Sequence, residues 1–226
     1  MGTEINIEQI VAYRPERSWN YEIGAHIACA DNKVMTDLAL FYIDCRDQQL
    51  TMFPPGQTTG RITTNAGKTR SYGVEVQIKY NPTSNWSFNA SYGYTNAKFV
   101  EFVNGNNDYK GNYVPYAPQN TLFASATYTH ALNSNWRMTY NLNCRAIGSI
   151  YWNEENSVKQ PLYALLGASI IASYKKFSLE AWMKNIANAE YDTFYFRSMQ
   201  NDFLQKGNPR TFGLTFRVSF DAPADR

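Results

Sequence analysis

The amino-acid sequence predicts an all-β fold, an antiparallel up-and-down transmembrane β-barrel segment of about nine strands. Three observations predict it. Apolar and polar residues alternate over long segments, short and long connections alternate along the chain, and aromatic residues lie beside the short connections. The 226 residues are 44% hydrophobic and 15% aromatic, and this length suits one large all-β domain. No run approaches the ~18 uninterrupted apolar residues that a transmembrane helix needs, so a helical membrane protein is excluded.

Alternation with a period of two residues identifies the strands. It is clearest near the end of the chain, where Phe212, Leu214 and Phe216 alternate with Gly213 and Thr215. The same pattern marks segments 19–29, 72–80, 86–95, 136–146 and 211–220, and segments 34–48, 120–132, 162–174 and 177–196 are compatible with it. Most of these segments are long enough for the ~9–11 tilted residues that cross a bilayer, whereas ordinary strands average ~5–6.

The connections between these strands are of two kinds. Four are tight and rich in turn-forming residues: 31–33, 81–85, 133–135 and 175–176. Four are long and polar: 49–64, 100–119, 152–161 and 199–208. In an up-and-down meander, this strict alternation places all tight turns at one end and all long loops at the other. Outer-membrane barrels have this asymmetry, with short periplasmic turns and long extracellular loops.

Aromatic residues flank the tight turns on strands that run in opposite directions. Tyr80 and Trp86 flank one turn, Tyr128 and Trp136 the next, and Phe220 ends the last strand. Such rings at one height form the girdle that a membrane interface favours.

If the apolar rows face lipid, the alternating polar residues face a lumen. That set contains Glu75, Gln77, Lys79, Arg137, Asn141, Asn143, Arg145, Glu180 and Lys184. Unpaired ions are costly in a dry interior, so we expect a lumen filled by water or by a polar partner. A large barrel rather than a tightly packed small one follows.

Several classes of chemistry find no support in the sequence. The net charge of +2 gives no case for binding nucleic acid, and the three cysteines and two histidines lack metal-ligand spacing. The segment Gly67-Lys68-Thr69 lacks the first glycine of a phosphate-binding loop, and Glu154-Glu155 is interpreted as solvated loop charge. We therefore expect no enzyme, no catalytic residues, no metal and no cofactor.

Six segments in order resemble the C-terminal barrel region of TonB-dependent outer-membrane receptors. They are LFYIDCRDQQL (40–50), NAGKTRSYGVEVQIKY (65–80), NWSFNASYGYTNAKF (85–99), YKGNYVPYAPQNTL (109–122), WMKNIANAEY (182–191) and NPRTFGLTFRVSF (208–220). The resemblance spans roughly residues 19–220, and together the segments are specific, although one alone would be weak. The resemblance implies a 22-stranded barrel with an N-terminal plug domain and a TonB box. The chain looks like the last two-fifths of such a barrel, hence an incomplete one.

The resemblance also implies function and location. The expected function is TonB-dependent uptake of a scarce ligand, such as an iron–siderophore, haem, cobalamin or a glycan, across the bacterial outer membrane. The expected partners are outer-membrane lipid, the plug domain with the remaining strands, TonB, and the small-molecule ligand. Residues 1–18 would be an extracellular loop or the end of a preceding strand, and residues 221–226 a tail beyond the terminal aromatic.

The candidate ligand-binding residues follow from this placement. On the loops they are Tyr109, Tyr113, Tyr116, Trp152 and Asn153, and in the lumen Glu75, Lys79, Arg137 and Arg145. Two alternatives stay open: a stand-alone small outer-membrane barrel with an adhesion or structural role, and a soluble β-rich binding module with its apolar rows turned inward.

Overall fold

The computed structural model describes residues 14–52, 62–199 and 201–220. The described chain is built from strands, which in order are β1 (Arg17–Cys29), β2 (Val34–Met52), β3 (Ile62–Tyr80), β4 (Trp86–Glu101), β5 (Val103–Asn104), β6 (Asn107–Asp108), β7 (Asn120–Ala131), β8 (Trp136–Ile147), β9 (Ile150–Tyr151), β10 (Lys159–Gln160), β11 (Tyr163–Tyr174), β12 (Phe177–Lys184), β13 (Asp192–Ser198), β14 (Asn201–Lys206) and β15 (Thr211–Val218). In these ranges we find no helix with the length and hydrophobicity to cross a membrane.

Nine strands form one antiparallel sheet, in the order β1-β2-β3-β4-β7-β8-β11-β12-β15. Each long strand pairs with its successor along the chain, so the sheet is an up-and-down meander, and the prediction of about nine strands is confirmed for the described residues. The tight connections all lie at one end of the sheet. The remaining strands form three small hairpins, β5-β6, β9-β10 and β13-β14, within the long loops at the other end.

One face of this sheet, the apolar face, is continuous across all nine strands because the register aligns the apolar rows. Tyr21 pairs with Tyr42, and Tyr42 with Tyr72. At the opposite edge, Leu179 pairs with Phe216. The rows are not covered: Leu214 keeps 73% of its surface exposed. The soluble alternative needs these rows to meet in a dry interior, whereas within the described residues they stay exposed.

The aromatic residues beside the tight turns pack on one another across strands. The ring centroids of Trp86 and Tyr128 are 4.7 Å apart, and those of Trp136 and Tyr174 are 4.8 Å apart. The structure thus confirms that strands of opposite direction bring their aromatic residues to one height at this end.

Several predicted boundaries were wrong. Segment 177–196 is not one strand, because β12 ends at Lys184 and Asp192–Ser198 pairs with Asn201–Lys206 in a separate hairpin. Segment 199–208, predicted as a loop, therefore contains β14. The loop 49–64 is shorter than predicted because β2 reaches Met52 and β3 starts at Ile62. Most of segment 1–18, the centre of loop 49–64 and the tail 221–226 lie outside the described residues.

Candidate functional site

The long loops fold on one another above the sheet around two small hydrophobic clusters. The first contains buried Phe99, Phe102 and Tyr109, packed against Leu50 and Val114. The second contains buried Ile147, Ile150, Trp152 and Tyr195, packed against Val158 and Tyr163. The first cluster joins the β4–β7 connection to Leu50 of β2, and the second joins the loop after β8 to Tyr195 of β13, so the loop end of the sheet has cores of its own.

Two predicted loop residues belong to these cores. Tyr109 and Trp152 are each only 6% exposed, and the rings of Tyr109 and Phe102 are 5.2 Å apart. Burial raises the pKa of Tyr109. Its hydroxyl donates a hydrogen bond to Glu155 Oε1 at 3.1 Å. In the described structure these two residues hold the loops together, and a contact with ligand stays a prediction for both.

Tyr113 forms part of a layered stack. Its ring lies 5.3 Å from that of Tyr151 with an interplanar angle of 9°. The ammonium of Lys98 lies 4.6 Å from the Tyr113 ring centre, and that of Lys159 lies 5.5 Å from the Tyr151 ring centre. Cation–π attraction thus holds a lysine against each tyrosine of the stack.

Asn153 and Asn156 shape the loop that follows Trp152. Asn153 Oδ1 accepts hydrogen bonds from the backbone amides of Ser157 at 3.0 Å and Val158 at 3.1 Å. Asn156 has φ of 56°, a left-handed conformation that asparagine tolerates well. Its amide group accepts from the Tyr113 backbone N–H at 2.7 Å and donates to the Tyr113 carbonyl at 2.9 Å. Asn153, a predicted ligand residue, therefore closes a turn, and Asn156, which the sequence analysis did not single out, joins two loops.

The two adjacent carboxylates in this loop differ in environment. Glu155 is exposed, whereas Glu154 is half-buried. Burial raises the pKa of Glu154, the negative charge of Glu155 raises it further, and a hydrogen bond from its own backbone amide opposes the shift. The pair is therefore not simply solvated charge.

Tyr116 lies where the loops meet the β13-β14 hairpin. Its hydroxyl donates to the Tyr195 carbonyl at 2.9 Å, and its ring stacks on Phe194 at 5.7 Å. The ring centroids of Phe194 and Phe196 are 5.8 Å apart, and Phe196 stacks on Phe203 with ring centroids 4.8 Å apart. These four residues, Tyr116, Phe194, Phe196 and Phe203, form the aromatic strip, in which Tyr116, Phe194 and Phe203 are exposed.

The sequence analysis missed the three phenylalanines of the aromatic strip. Phe194 and Phe196 were interpreted as the end of a barrel strand, and Phe203 as part of a polar loop. The positive φ of Met199, 51°, marks the turn that separates β13 from β14. The apolar runs Phe194-Tyr195-Phe196 and Phe203-Leu204 flank a mostly polar segment, 197–202, and this is the signal that could have identified a hairpin.

The polar face of the sheet, opposite the apolar face, carries a cavity of about 690 Å³ near β8, β11, β12 and β15. Its charged lining residues are Arg145, Glu180, Lys184 and Arg217. Glu180 forms a 2.9 Å ion pair with Arg217, and the Trp182 indole donates to Thr215 Oγ1 at 3.2 Å. Three cations against one carboxylate favour an anionic occupant.

The other three predicted lumen residues lie away from this cavity. Glu75 pairs with Ala39 and Gly93 across the strands, and Lys79 with Met35 and Asn89. Arg137 pairs with Ala131 and Ser173 near the tight-turn end. The structure therefore brings only Arg145 of these four into the cavity. In the described ranges, no group of three or more His, Cys, Asp or Glu residues could hold a metal ion.

Comparison with known proteins identifies relatives of this sheet. The family model described as TonB dependent receptor-like, beta-barrel matches residues 6–186. The pesticin receptor of Yersinia enterocolitica serotype O:8 / biotype 1B is 28% identical over 211 residues, covering 91% of this chain and 29% of the receptor. The ferrioxamine receptor of Yersinia enterocolitica is 25% identical over 185 residues, covering 79% of the chain and 24% of the receptor.

A solved structure is also similar to this chain. The crystal structure of the ferric yersiniabactin uptake receptor from Yersinia pestis matches with a TM-score of 0.77 and 25% identity, covering 91% of this chain and 30% of that one. The chain thus spans under a third of the length of the proteins it matches.

Proposed function

The chain belongs to the TonB-dependent receptor-like β-barrel family, and from this premise we propose that it is part of the barrel of an outer-membrane receptor that takes up a ferric chelate. Residues 19–220 would form barrel wall and extracellular loops. The rest of the receptor, including a plug domain and the segment that binds TonB, would complete the transporter. Its surroundings would be the lipid of the bacterial outer membrane.

The names of the relatives support an iron chelate over haem, cobalamin or a glycan. Two of the three reported matches are named as receptors for ferrioxamine and for ferric yersiniabactin, and the third is named a pesticin receptor. The cavity on the polar face carries the excess of cations that suits an anionic chelate. Arg145 is the predicted lumen residue with the strongest case, while contacts from Glu75, Lys79 and Arg137 remain proposals.

The aromatic strip is the observation on which the capture step depends. It exposes large rings at the loop end, and aromatic side chains supply much contact area at low entropic cost. Tyr116, Phe194 and Phe203 would touch the ligand directly. Tyr109, Tyr113, Trp152 and Asn153 would act by fixing the loops that present the strip.

Uptake of radioactive iron by a gene-deletion strain tests this function. The probes are iron-loaded ferrioxamine and ferric yersiniabactin, supplied under iron limitation to strains complemented with wild-type or variant genes. We expect the wild-type gene to restore uptake of at least one probe. Equal uptake with and without the wild-type gene, for both probes, would refute this ligand class.

A double variant tests the role of the strip. Phe194→Ala/Phe203→Ala should weaken probe binding, because ring contacts contribute roughly 1 kcal/mol each beyond their buried area. The matched control is Leu204→Ala, which changes the other face of the same hairpin, where Leu204 pairs with Tyr195 and is 52% exposed. A control as defective as the double variant would assign the effect to the hairpin fold rather than to ring contacts.

A further inference from the structure

The apolar face ends, toward the loops, in a concentration of positive charge. Strand pairing aligns Arg17 with Arg46, Arg46 with Lys68, and Arg70 with Lys98. These residues are in register with the apolar rows, because the Tyr42–Tyr72 pair and the Asp44–Arg70 pair lie two residues apart along both strands. Lys159 joins them through the stack of Tyr113 on Tyr151. The basic patch consists of Arg17, Arg46, Lys68, Arg70, Lys98 and Lys159.

Like charges directly opposite on paired strands destabilise a sheet unless an anion lies between them. The patch contains three such pairs, and two carboxylates share its register. Glu101 forms a 2.7 Å ion pair with Lys68, and Asp44 lies 3.9 Å from Arg46. Within the described part of the chain, no carboxylate forms an ion pair with Arg70, Lys98 or Lys159.

Aromatic rings hold these three cations in place instead. Arg70 lies 5.7 Å from the Tyr42 ring centre, and Lys98 and Lys159 lie over Tyr113 and Tyr151. A ring orients a cation without cancelling its charge, so the N–H donors stay available. The sheet therefore presents an excess of ordered cations on its outer side, even though the Asp44 carboxylate lies opposite Arg70 in the strand pairing.

The position of the patch identifies its counter-ion. Ten residues separate Arg70 from Tyr80 in the aromatic girdle, about 33 Å along the strand or roughly 25 Å along the membrane normal at a ~40° tilt. This matches the ~25 Å apolar band of outer-membrane barrels. Arg70 and Lys98 thus lie at the headgroup level of the leaflet nearest the loops.

We propose that the basic patch binds the phosphate groups of lipid headgroups in this leaflet. The inference rests on the proposed membrane placement and adds a lipid-recognition site to it. Arg70 and Lys98, adjacent on paired strands, would hold one phosphate between them, while Lys159 would bind a second. The lipid anion would relieve the like-charge repulsion that the sheet otherwise carries.

Lipid binding by the protein expressed from its native gene tests the proposal. Purified protein is titrated with diphosphorylated lipid A in zwitterionic nanodiscs, and bound lipid A is quantified. Arg70→Gln/Lys98→Gln should reduce the affinity for lipid A about tenfold or more. Arg70→Lys/Lys98→Arg keeps both charges and should retain binding, which separates loss of charge from loss of fold. Lys33→Gln/Lys176→Gln, at the tight turns, removes the same net charge and should bind like wild type.

The outcomes separate this site from the membrane placement. Insertion of the wild type into phosphatidylcholine nanodiscs without a preference for lipid A over its dephosphorylated form would refute the phosphate site alone. Failure to insert into any nanodisc would refute the placement and the site together. Displacement of lipid A by an equal concentration of inorganic phosphate would assign the patch to a free anion and overturn the proposal. An equal loss of lipid A affinity in Lys33→Gln/Lys176→Gln would show that only the net charge matters, which would also overturn it.

Discussion

At the scale of single residues, the loop end uses polar side chains for cohesion. Asn156 binds both backbone polar groups of Tyr113, and Asn153 closes its own turn. Glu154 is the exception, since it is a half-buried carboxyl group beside a second acid. Its ionisation therefore acts against the packing that the asparagines support.

This conflict predicts a pH dependence of loop stability. The pKa of Glu154 is higher in the folded protein than in the unfolded chain, because burial and Glu155 disfavour its charge. Protonation thus stabilises the folded loop; the contribution is complete below the ordinary carboxyl pKa and is lost as the pH rises through the raised value. Glu154→Gln should remove this loss and slow amide exchange in residues 109–119 and 148–162 at neutral pH.

Hydrogen exchange across a pH series, corrected for intrinsic rates, checks this prediction. The control is Glu190→Gln, which neutralises an exposed carboxylate. If loop protection in Glu154→Gln follows the same pH dependence as in wild type, Glu154 is not the responsible group.

Asn156→Ala should weaken the connection between the two loops. The substitution removes both hydrogen bonds to Tyr113, each contributing ~0.5–1.5 kcal/mol, and places alanine at a positive φ. We expect faster exchange of the Tyr113 amide with little change in the nine-stranded sheet. Asn201→Ala, which removes one exposed hydrogen bond to Met199, is the comparison and should leave Tyr113 protected.

At the scale of elements, close strand approach depends on glycine. A Cβ atom on Gly73 would overlap the Tyr94 carbonyl oxygen on β4 and lie 2.6 Å from the Phe41 ring. Gly73→Ala should therefore destabilise the β2-β3-β4 region by about 1–3 kcal/mol. Gly24→Ala, on the edge strand β1 with a nearest contact of 3.1 Å, should stay within ~1 kcal/mol of wild type. Denaturant unfolding measures both, and equal stabilities would show that the approach at Gly73 relaxes without cost.

The accuracy of the sequence-based prediction differs between these elements. The nine sheet strands were predictable because successive side chains of a strand point to opposite faces, and one face of this sheet is apolar while the other is polar. The β13-β14 hairpin was missed because the apolar residues Phe194 and Phe196 follow β12 closely enough that segment 177–196 was interpreted as one strand. The packing of Tyr109 and Trp152 was not predictable, since their partners are distant in sequence and an aromatic residue on a polar loop suits binding as well as burial.

At the scale of the whole molecule, the two faces of the sheet require different residues on the same strand, apolar on one face and polar on the other. Val76 lies on the apolar face between Leu38 and Tyr92, whereas its neighbour Gln77 lies on the polar face between Asp37 and Ser91. In a membrane, a charge at position 76 would face hydrocarbon. A charge at position 77 would lie on the polar face, opposite the carboxylate of Asp37.

This pair provides the most direct test of membrane orientation. Val76→Arg should destabilise the folded protein in lipid by about 2–4 kcal/mol, the cost of arginine near the centre of the bilayer on a barrel's lipid face. Gln77→Arg adds the same side chain one residue later and should cost much less. Equilibrium unfolding in phosphatidylcholine vesicles measures the difference. If both variants lose the same stability, or if Gln77→Arg loses more, the apolar face does not contact lipid.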